Sequence, residues 1–352
     1  MNIKLKDFIE NSFLKPLLII PTITDISFNG EFIFYMDNLK GRMKSDISIS
    51  SNEVKDFIRQ ISNLSEKPFS FQNPYLDISV DKYRIFAIHD SIGRYKYENV
   101  VTFSIRVGNS ENVIDYDETF FPNSIKVLLD FLIFNNISIL ISGETSSGKT
   151  EFQKYLISRM KVNSRLIIID NILELDSINK NDKLDIVNWT ANENLLISNT
   201  KYLIRSALRN NPDWLLVAEA RGEEMLDVLN ARMSGHPIIT TLHALDAKSV
   251  PDRIAMLIML NDKKFNYENI LNDIYYHFPI VVHLRKKINE YGNIEREIFE
   301  IIEIEKNGKI NTIFQRKFNK QIFGKFSNNF ASSIQIEAIP EEIKDLFEVK
   351  YE

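Results

Sequence analysis

Apolar positions in the first 20 residues recur at helical spacing. Leu5, Phe8, Ile9, Phe13 and Leu14 fall on one stripe, and Pro16 and Pro21 close it. Short strand-like runs follow at residues 23–29, 32–37, 79–90 and 100–107. Between them, residues 52–61 return to helical spacing through Val54, Phe57, Ile58 and Ile61. Residues 1–108 are therefore expected to form a small α+β domain. A polar stretch opens at Gly108, and residues 109–122 read as a linker. Beyond it the texture changes. Helix patterns alternate with short, mostly apolar runs at 137–141, 166–169, 214–217, 238–242 and 280–282. Runs that lack polar alternation belong to strands covered on both faces, and their alternation with helices predicts an α/β domain with a parallel-rich sheet over residues 123–352. After Lys286 the strand pattern returns, with 289–293 and 306–309 placed for hairpin turns. The tail from about Gln321 is weakly patterned and ends in an acidic, helix-like piece at 340–348.

Composition narrows the class. The chain has 352 residues, 44% hydrophobic and 26% charged, with no cysteine. That length suits two or three domains, and the missing cysteines exclude disulfides, thiolate metal sites and cysteine nucleophiles. A net charge of −5 and a pI near 5.7 weigh against a generic nucleic-acid binder. The longest apolar run, 254–260, is seven residues, against the roughly 20 a spanning helix needs. The N-terminal stretch mixes Lys4, Lys6, Asp7 and Glu10 with apolar residues and lacks a signal-peptide core. A cytoplasmic protein is expected, with any membrane association peripheral. Glycine is scarce: there are 11, and four of them (Gly143, Gly148, Gly222 and Gly235) lie between 143 and 235.

Those four mark the chemistry. Gly143, Glu144, Thr145, Ser146, Ser147, Gly148, Lys149 and Thr150 fit G-x-x-x-x-G-K-[ST], the phosphate-binding loop. Small residues let backbone N–H groups turn inward toward phosphate oxygens, and the loop opens into a helix N-terminus that favours an anion. A strand at 137–142 and a helix at 150–160 supply the required context. Lys149 is placed to reach the β/γ-phosphates of ATP, and the Thr150 hydroxyl to hold Mg²⁺. Glu219 closes the apolar run 214–217, where it can orient or polarise an attacking water. Asp170 ends the run 166–169, followed by Asn171 and Glu174; Asp170 either holds Mg²⁺ through water or shapes a turn. His243 ends the run 238–242 and is either a phosphate contact or a structural histidine.

Four strands ending in a phosphate loop, an acidic box, an acidic strand end and a histidine resemble the type II/type IV secretion traffic ATPases. That superfamily comprises hexameric motors of conjugation, tight-adherence pilus assembly and pilus retraction. The run from Arg165 to Leu175, with Asp170, Asn171 and Glu174, is similar to the family's acidic box R-I-I-x-I-E-D-x-x-E-L. Asp170 stands there in place of Glu and Asn171 in place of Asp. Glu219-Ala-Arg221-Gly222 resembles its G-E-x-R-G Walker B, with Ala218 where the family has glycine. Thr241-Leu-His243-Ala244 resembles its histidine box. The run 23–30, the pair 77–85 containing Arg84, and Phe103-Ser-Ile-Arg106 resemble the N-terminal domain of the tight-adherence and type IV secretion branch, with Ser79 in place of an arginine.

The resemblance implies a RecA-like ATPase domain behind a smaller α+β domain. It implies Glu219, Lys149, His243, Asp170, Glu174 and Arg221 as catalytic candidates. It also implies Arg106 as a nucleotide contact and Arg205 and Arg209 as phosphate or interface contacts. A homohexamer at the cytoplasmic face of a membrane, working on inner-membrane secretion or pilus platform proteins, is the implied assembly. No sequence-specific nucleic-acid binding is expected. Two other readings stay open: a motor that translocates nucleic acid, and a nucleotide-binding scaffold with weak turnover.

Overall fold

The computed structural model describes residues 2–108, 114, 119–171, 175, 183–193, 195–260, 265–317, 320–334 and 339–347. Most of the expected linker and Glu174 lie outside these residues. The described chain divides into two units, the first reaching to residue 108 and the second running from 119 onward, with the 288–294 turn grouped with the first.

The first unit begins with two short helices, α1 (Asn2–Glu10) and α2 (Lys15–Leu18). The single helix expected here is broken, and Pro16 sits in the first turn of α2, where its missing N–H costs nothing. Strands β1 (Ile23–Phe28), β2 (Ile33–Asp37) and β3 (Gly41–Lys44) follow, then α3 (Ser51–Ser65). The run 79–90 is not one strand. β4 (Tyr75–Val80) and β5 (Tyr83–Ile88) form a hairpin that turns at Asp81, whose φ is 49°. A two-residue ribbon, β6 (Arg94–Tyr95) and β7 (Glu98–Asn99), precedes β8 (Thr102–Val107). The main sheet has the order β3-β2-β1-β8-β5-β4 and is antiparallel throughout. Strict alternation buries Leu76, Ile78 and Val80 of β4 against the helices and exposes Tyr75, Asp77 and Ser79. Val54, Phe57, Ile58 and Ile61 of α3 share one core with Leu5, Ile9, Ile26 and Phe103. A capping box fixes where α3 starts: the Ser50 side chain accepts from the Glu53 N–H, and the Glu53 carboxylate accepts from the Ser50 N–H.

The second unit contains α4 (Asn123–Phe134), β9 (Ile139–Gly143), α5 (Lys149–Ser158), β10 (Arg165–Asp170), β11 (Asp185–Thr190) and α6 (Thr200–Ala207). It continues through β12 (Trp214–Val217), α7 (Met225–Met233), β13 (Ile238–Leu242), α8 (Val250–Met259) and α9 (Tyr267–His277). It closes with β14 (Ile280–Ile288), β15 (Ile294–Ile304), β16 (Ile310–Lys317), β17 (Lys320–Phe323) and α10 (Asn328–Ser333). The sheet order is β11-β10-β12-β13-β9-β14-β15-β16-β17. β9 to β14 pair in parallel, and β15 to β17 are antiparallel hairpin strands. The fold is thus α/β with a large, parallel-rich mixed sheet, preceded by a smaller antiparallel sheet with helices.

Burial on both faces explains the apolar runs. On β9, Ile139 and Ile141 join a core with Phe152, Tyr155 and Leu156 of α5, whereas Leu140 faces a second core with α7 and α8 residues. β11 escaped the sequence pattern because it is an edge strand with only partly buried side chains. The tail piece is a 3₁₀ helix, Glu341–Leu346, entered from Pro340. The sheet order has a direct consequence: it sets the carboxyl ends of β10, β12, β13, β9 and β14 side by side. Replacing Ser50 with alanine removes one half of the capping box. The expected cost is about 1 kcal/mol of stability, read as a lower denaturation midpoint of the full chain and faster hydrogen exchange in the first turn of α3.

Candidate active site

The loop leaving β9 is shaped by close approach. A Cβ on Gly143 would lie 2.6 Å from the Leu284 carbonyl oxygen of β14 and 2.6 Å from the Ser147 hydroxyl, so only glycine fits. Gly148, with φ at 96°, occupies the N-cap of α5, and α5 begins at Lys149. Ser146 takes a left-handed conformation, φ 63°, without being glycine. Glu144, Thr145 and Ser146 are exposed, whereas Thr150 is half-buried in the first turn of α5. The Ser147 hydroxyl is fully buried and has no hydrogen-bond partner among the described residues. A hydroxyl left in that state costs about 1–3 kcal/mol. The Lys149 ammonium donates to the carbonyls of Gly143 and Glu144, each at 2.9 Å. From β15, Arg296 donates its Nε to the Ser146 carbonyl at 2.9 Å and braces the loop from the side.

The acid and the histidine reach the loop through the sheet order. β13 lies between β9 and β12, so His243 stands between the phosphate loop and Glu219. His243 Nδ1 donates to the Gly143 carbonyl at 3.1 Å. Its Nε2 lies 3.1 Å from Glu219 Oε1, close enough for an ion pair although not aligned as a hydrogen bond. Arg221 holds the other carboxylate oxygen at 2.6 Å. Burial works to raise the Glu219 carboxyl. The Arg221 hydrogen bond and charge, with His243 and Lys149 behind them, outweigh it and hold the group below the usual glutamate range.

The strand end that carries Glu219 is itself anchored. The Ala218 carbonyl accepts from Gln153 of α5 at 3.1 Å and from Thr241 of β13 at 2.8 Å. The Glu224 carboxylate accepts the N–H groups of Arg221 and Gly222, which folds the turn after the strand.

Other candidates are placed differently. Asp170 is buried at the end of β10 and accepts from the Leu175 N–H at 3.4 Å. Three strand spacings separate β10 from β9, roughly 14 Å, so Asp170 stands apart from the strand that leads into the phosphate loop. Asn171 accepts from the Thr200 hydroxyl at 3.4 Å. Arg106 is exposed on β8 of the first unit, in register with Asp25 on one side and Arg84 on the other. Arg205 is tied to the buried Asp227 carboxylate at 2.6 Å, and Arg209 is exposed. No group of three or more potential metal-ligating side chains exists among the described residues. Gln153, Arg296 and His283 carry no motif. Gln153 lies one turn beyond Lys149 on α5, a signal that could have found it; the other two depend on strand order.

Residues 97–277, just over half of the chain, match the type II/IV secretion system protein family. Over 318 residues the chain is 28% identical to an uncharacterized protein of Bacillus anthracis, covering 87% of this chain and 70% of that one. Over 158 residues it is 32% identical to the type IV secretion system protein VirB11 of Brucella suis, covering 43% of this chain and 44% of that one. The chain therefore spans under half the length of that second relative. The X-ray structure of the Legionella pneumophila ATPase DotB shares the fold, with a TM-score of 0.61 at 17% identity over 87% of this chain and 82% of that one.

The Gly143 contacts set a test of the loop. A Gly143→Ala variant must displace either Ser147 or the β14 backbone, and is expected to bind ATP at least about tenfold more weakly in a fluorescence titration.

Proposed function

The chain belongs to the type II/IV secretion system protein family and is an ATPase of that family, and from that premise we propose that it works as a Mg²⁺-dependent homohexameric motor of a type IV secretion, conjugation or pilus machine at the cytoplasmic face of a membrane. The observation that carries the reading is the continuous contact from Glu219 through His243 to the Gly143 carbonyl, which ties the acidic strand end to the phosphate loop. The relatives named as a VirB11 type IV secretion protein and a DotB ATPase support the setting.

Bound ATP places its phosphates against the loop N–H groups and the N-terminus of α5. Lys149 then exchanges the carbonyls of Gly143 and Glu144 for phosphate oxygens. The Thr150 hydroxyl would hold Mg²⁺, which would supply positive charge against the phosphates. Glu219 accepts a hydrogen bond from the attacking water and orients it toward the γ-phosphorus. Its lowered proton affinity suits orientation better than full proton abstraction, and phosphoryl transfer asks mainly for positioning and charge stabilisation. His243, joined to both the loop and Glu219, registers whether the γ-phosphate is present. Arg221 holds Glu219 until that moment and is free to meet phosphate charge after it. Asp170 assists through water. Peripheral attachment to a platform protein would let domain motion do work on exported substrate or pilin.

Three outcomes test this. Lys149→Ala is expected to lose both ATP binding and phosphate release, and normal turnover in that variant would overturn the assignment. Glu219→Gln should keep ATP affinity while turnover falls about 10²- to 10⁴-fold; loss of binding would make Glu219 a structural residue. In Arg221→Ala, burial of Glu219 is opposed only by His243 and Lys149. The wild-type carboxylate stays ionised to lower pH than an ordinary glutamate, so the acid limb of the kcat/KM profile should move to higher pH in the variant. Turnover accelerated by DNA would favour a nucleic-acid motor instead, and the particle mass of the ATP-bound protein in solution tests the hexamer.

A further inference from the structure

The loop has a second neighbour. β14 pairs with β9 on the side away from β13, with His283 directly across from Ser142 and Leu284 directly across from Gly143. His283 Nδ1 lies 2.9 Å from the Ser142 hydroxyl oxygen. Ser142 is fully buried and His283 is 7% exposed. Strand parity puts both side chains on the sheet face of Leu140 and Val281, opposite the face on which α5 packs. The last side chain before the phosphate loop is therefore gripped from the face that the loop's own helix leaves free.

The charged groups that act on the ring are Asp246, Lys149, Arg285 and Glu144, and the Phe299 ring meets it edge-on with centroids 6.3 Å apart. Burial, aided by Lys149 and Arg285, holds the imidazole below the usual histidine range against the pull of Asp246. The ring is neutral at neutral pH and makes its hydrogen bond without adding a cation beside Lys149. Asp246 belongs to the turn that follows His243, and its carboxylate accepts the Ser249 N–H at 2.8 Å. Serine, histidine and aspartate together suggest a nucleophile, but a fully buried hydroxyl meets no substrate. The pair's chemistry is mechanical.

We propose that His283 is a positioning residue for the phosphate loop, acting through its hydrogen bond to Ser142 to fix where β9 ends and the loop begins. The inference rests on the reading that this loop binds ATP. A grip on the loop's entry helps the bound ground state and the transition state alike, so its loss appears in KM rather than kcat.

The test measures ATP affinity, KM, kcat and thermal midpoint for the wild type and four variants. His283→Ala is expected to weaken ATP binding and raise KM about five- to tenfold, with kcat within about twofold. His283→Asn places an amide where Nδ1 stands and should restore KM to within about twofold, whereas His283→Gln places it at the Nε2 position and should not. Ser142→Ala should reproduce the loss, and combining it with His283→Ala should add nothing further. The proposal is overturned if His283→Asn is no better than His283→Ala, if the Ser142 and His283 losses add, or if the thermal midpoint falls while affinity holds. A wild type that binds no ATP overturns the nucleotide site itself, an outcome separate from these.

Discussion

One carbonyl oxygen, that of Gly143, accepts hydrogen bonds from both Lys149 and His243. Everything around the site depends on keeping that oxygen available to two donors at once. The Lys149 bond closes the loop on itself when no phosphate is present. The His243 bond joins the loop to the strand two places away that carries Glu219. The buried parallel sheet makes this possible, because adjacent strands about 4.8 Å apart bring groups far apart in sequence within one hydrogen bond of each other.

Electrostatics around Glu219 follow from the same arrangement. A half-buried carboxylate beside a phosphate site would by itself tend toward its neutral form. Arg221, His243 and Lys149 keep it charged, and the Glu224 carboxylate sets the backbone that presents Arg221. Positive groups thus restrain the acid before the substrate's own charge arrives. The substitutions in the acidic box have a matching logic. Asp170 and Asn171 are engaged with Leu175 and Thr200, at the far side of the row of strand ends from the loop.

Much of this was legible in the sequence where a single segment carries the signal. The apolar runs of β12 and β13 end where the structure ends them, because every residue of both strands is buried and the first residues beyond them are not. The phosphate loop, Glu219 and His243 were found by motif and strand position. The misses have physical causes. Pro16 reads as a stop but serves as a start, since proline suits both places. The β4–β5 hairpin turns at Asp81 and Lys82 without glycine, so residue patterning runs the strands together and only the family resemblance marks 77–85 as a strand pair. β11 lies at an edge and carries no apolar run. His283 and Arg296 reach the loop only because β14 and β15 lie beside β9, and that order is a property of the whole sheet rather than of any spacing.

Ser146 carries a consequence of its own. Phosphate loops are commonly described through their glycines, yet this one reserves glycine for Gly143, where a Cβ would collide, and for the N-cap Gly148. At the left-handed position between them it uses serine. A serine there is strained by about 1 kcal/mol, but it wanders through fewer conformations than a glycine would. The loop is accordingly held to fewer shapes, and less conformational freedom remains to be lost when a phosphate binds. In a chain this sparing of glycine, the stiffness of the cradle comes from the residue that a more permissive sequence would have replaced.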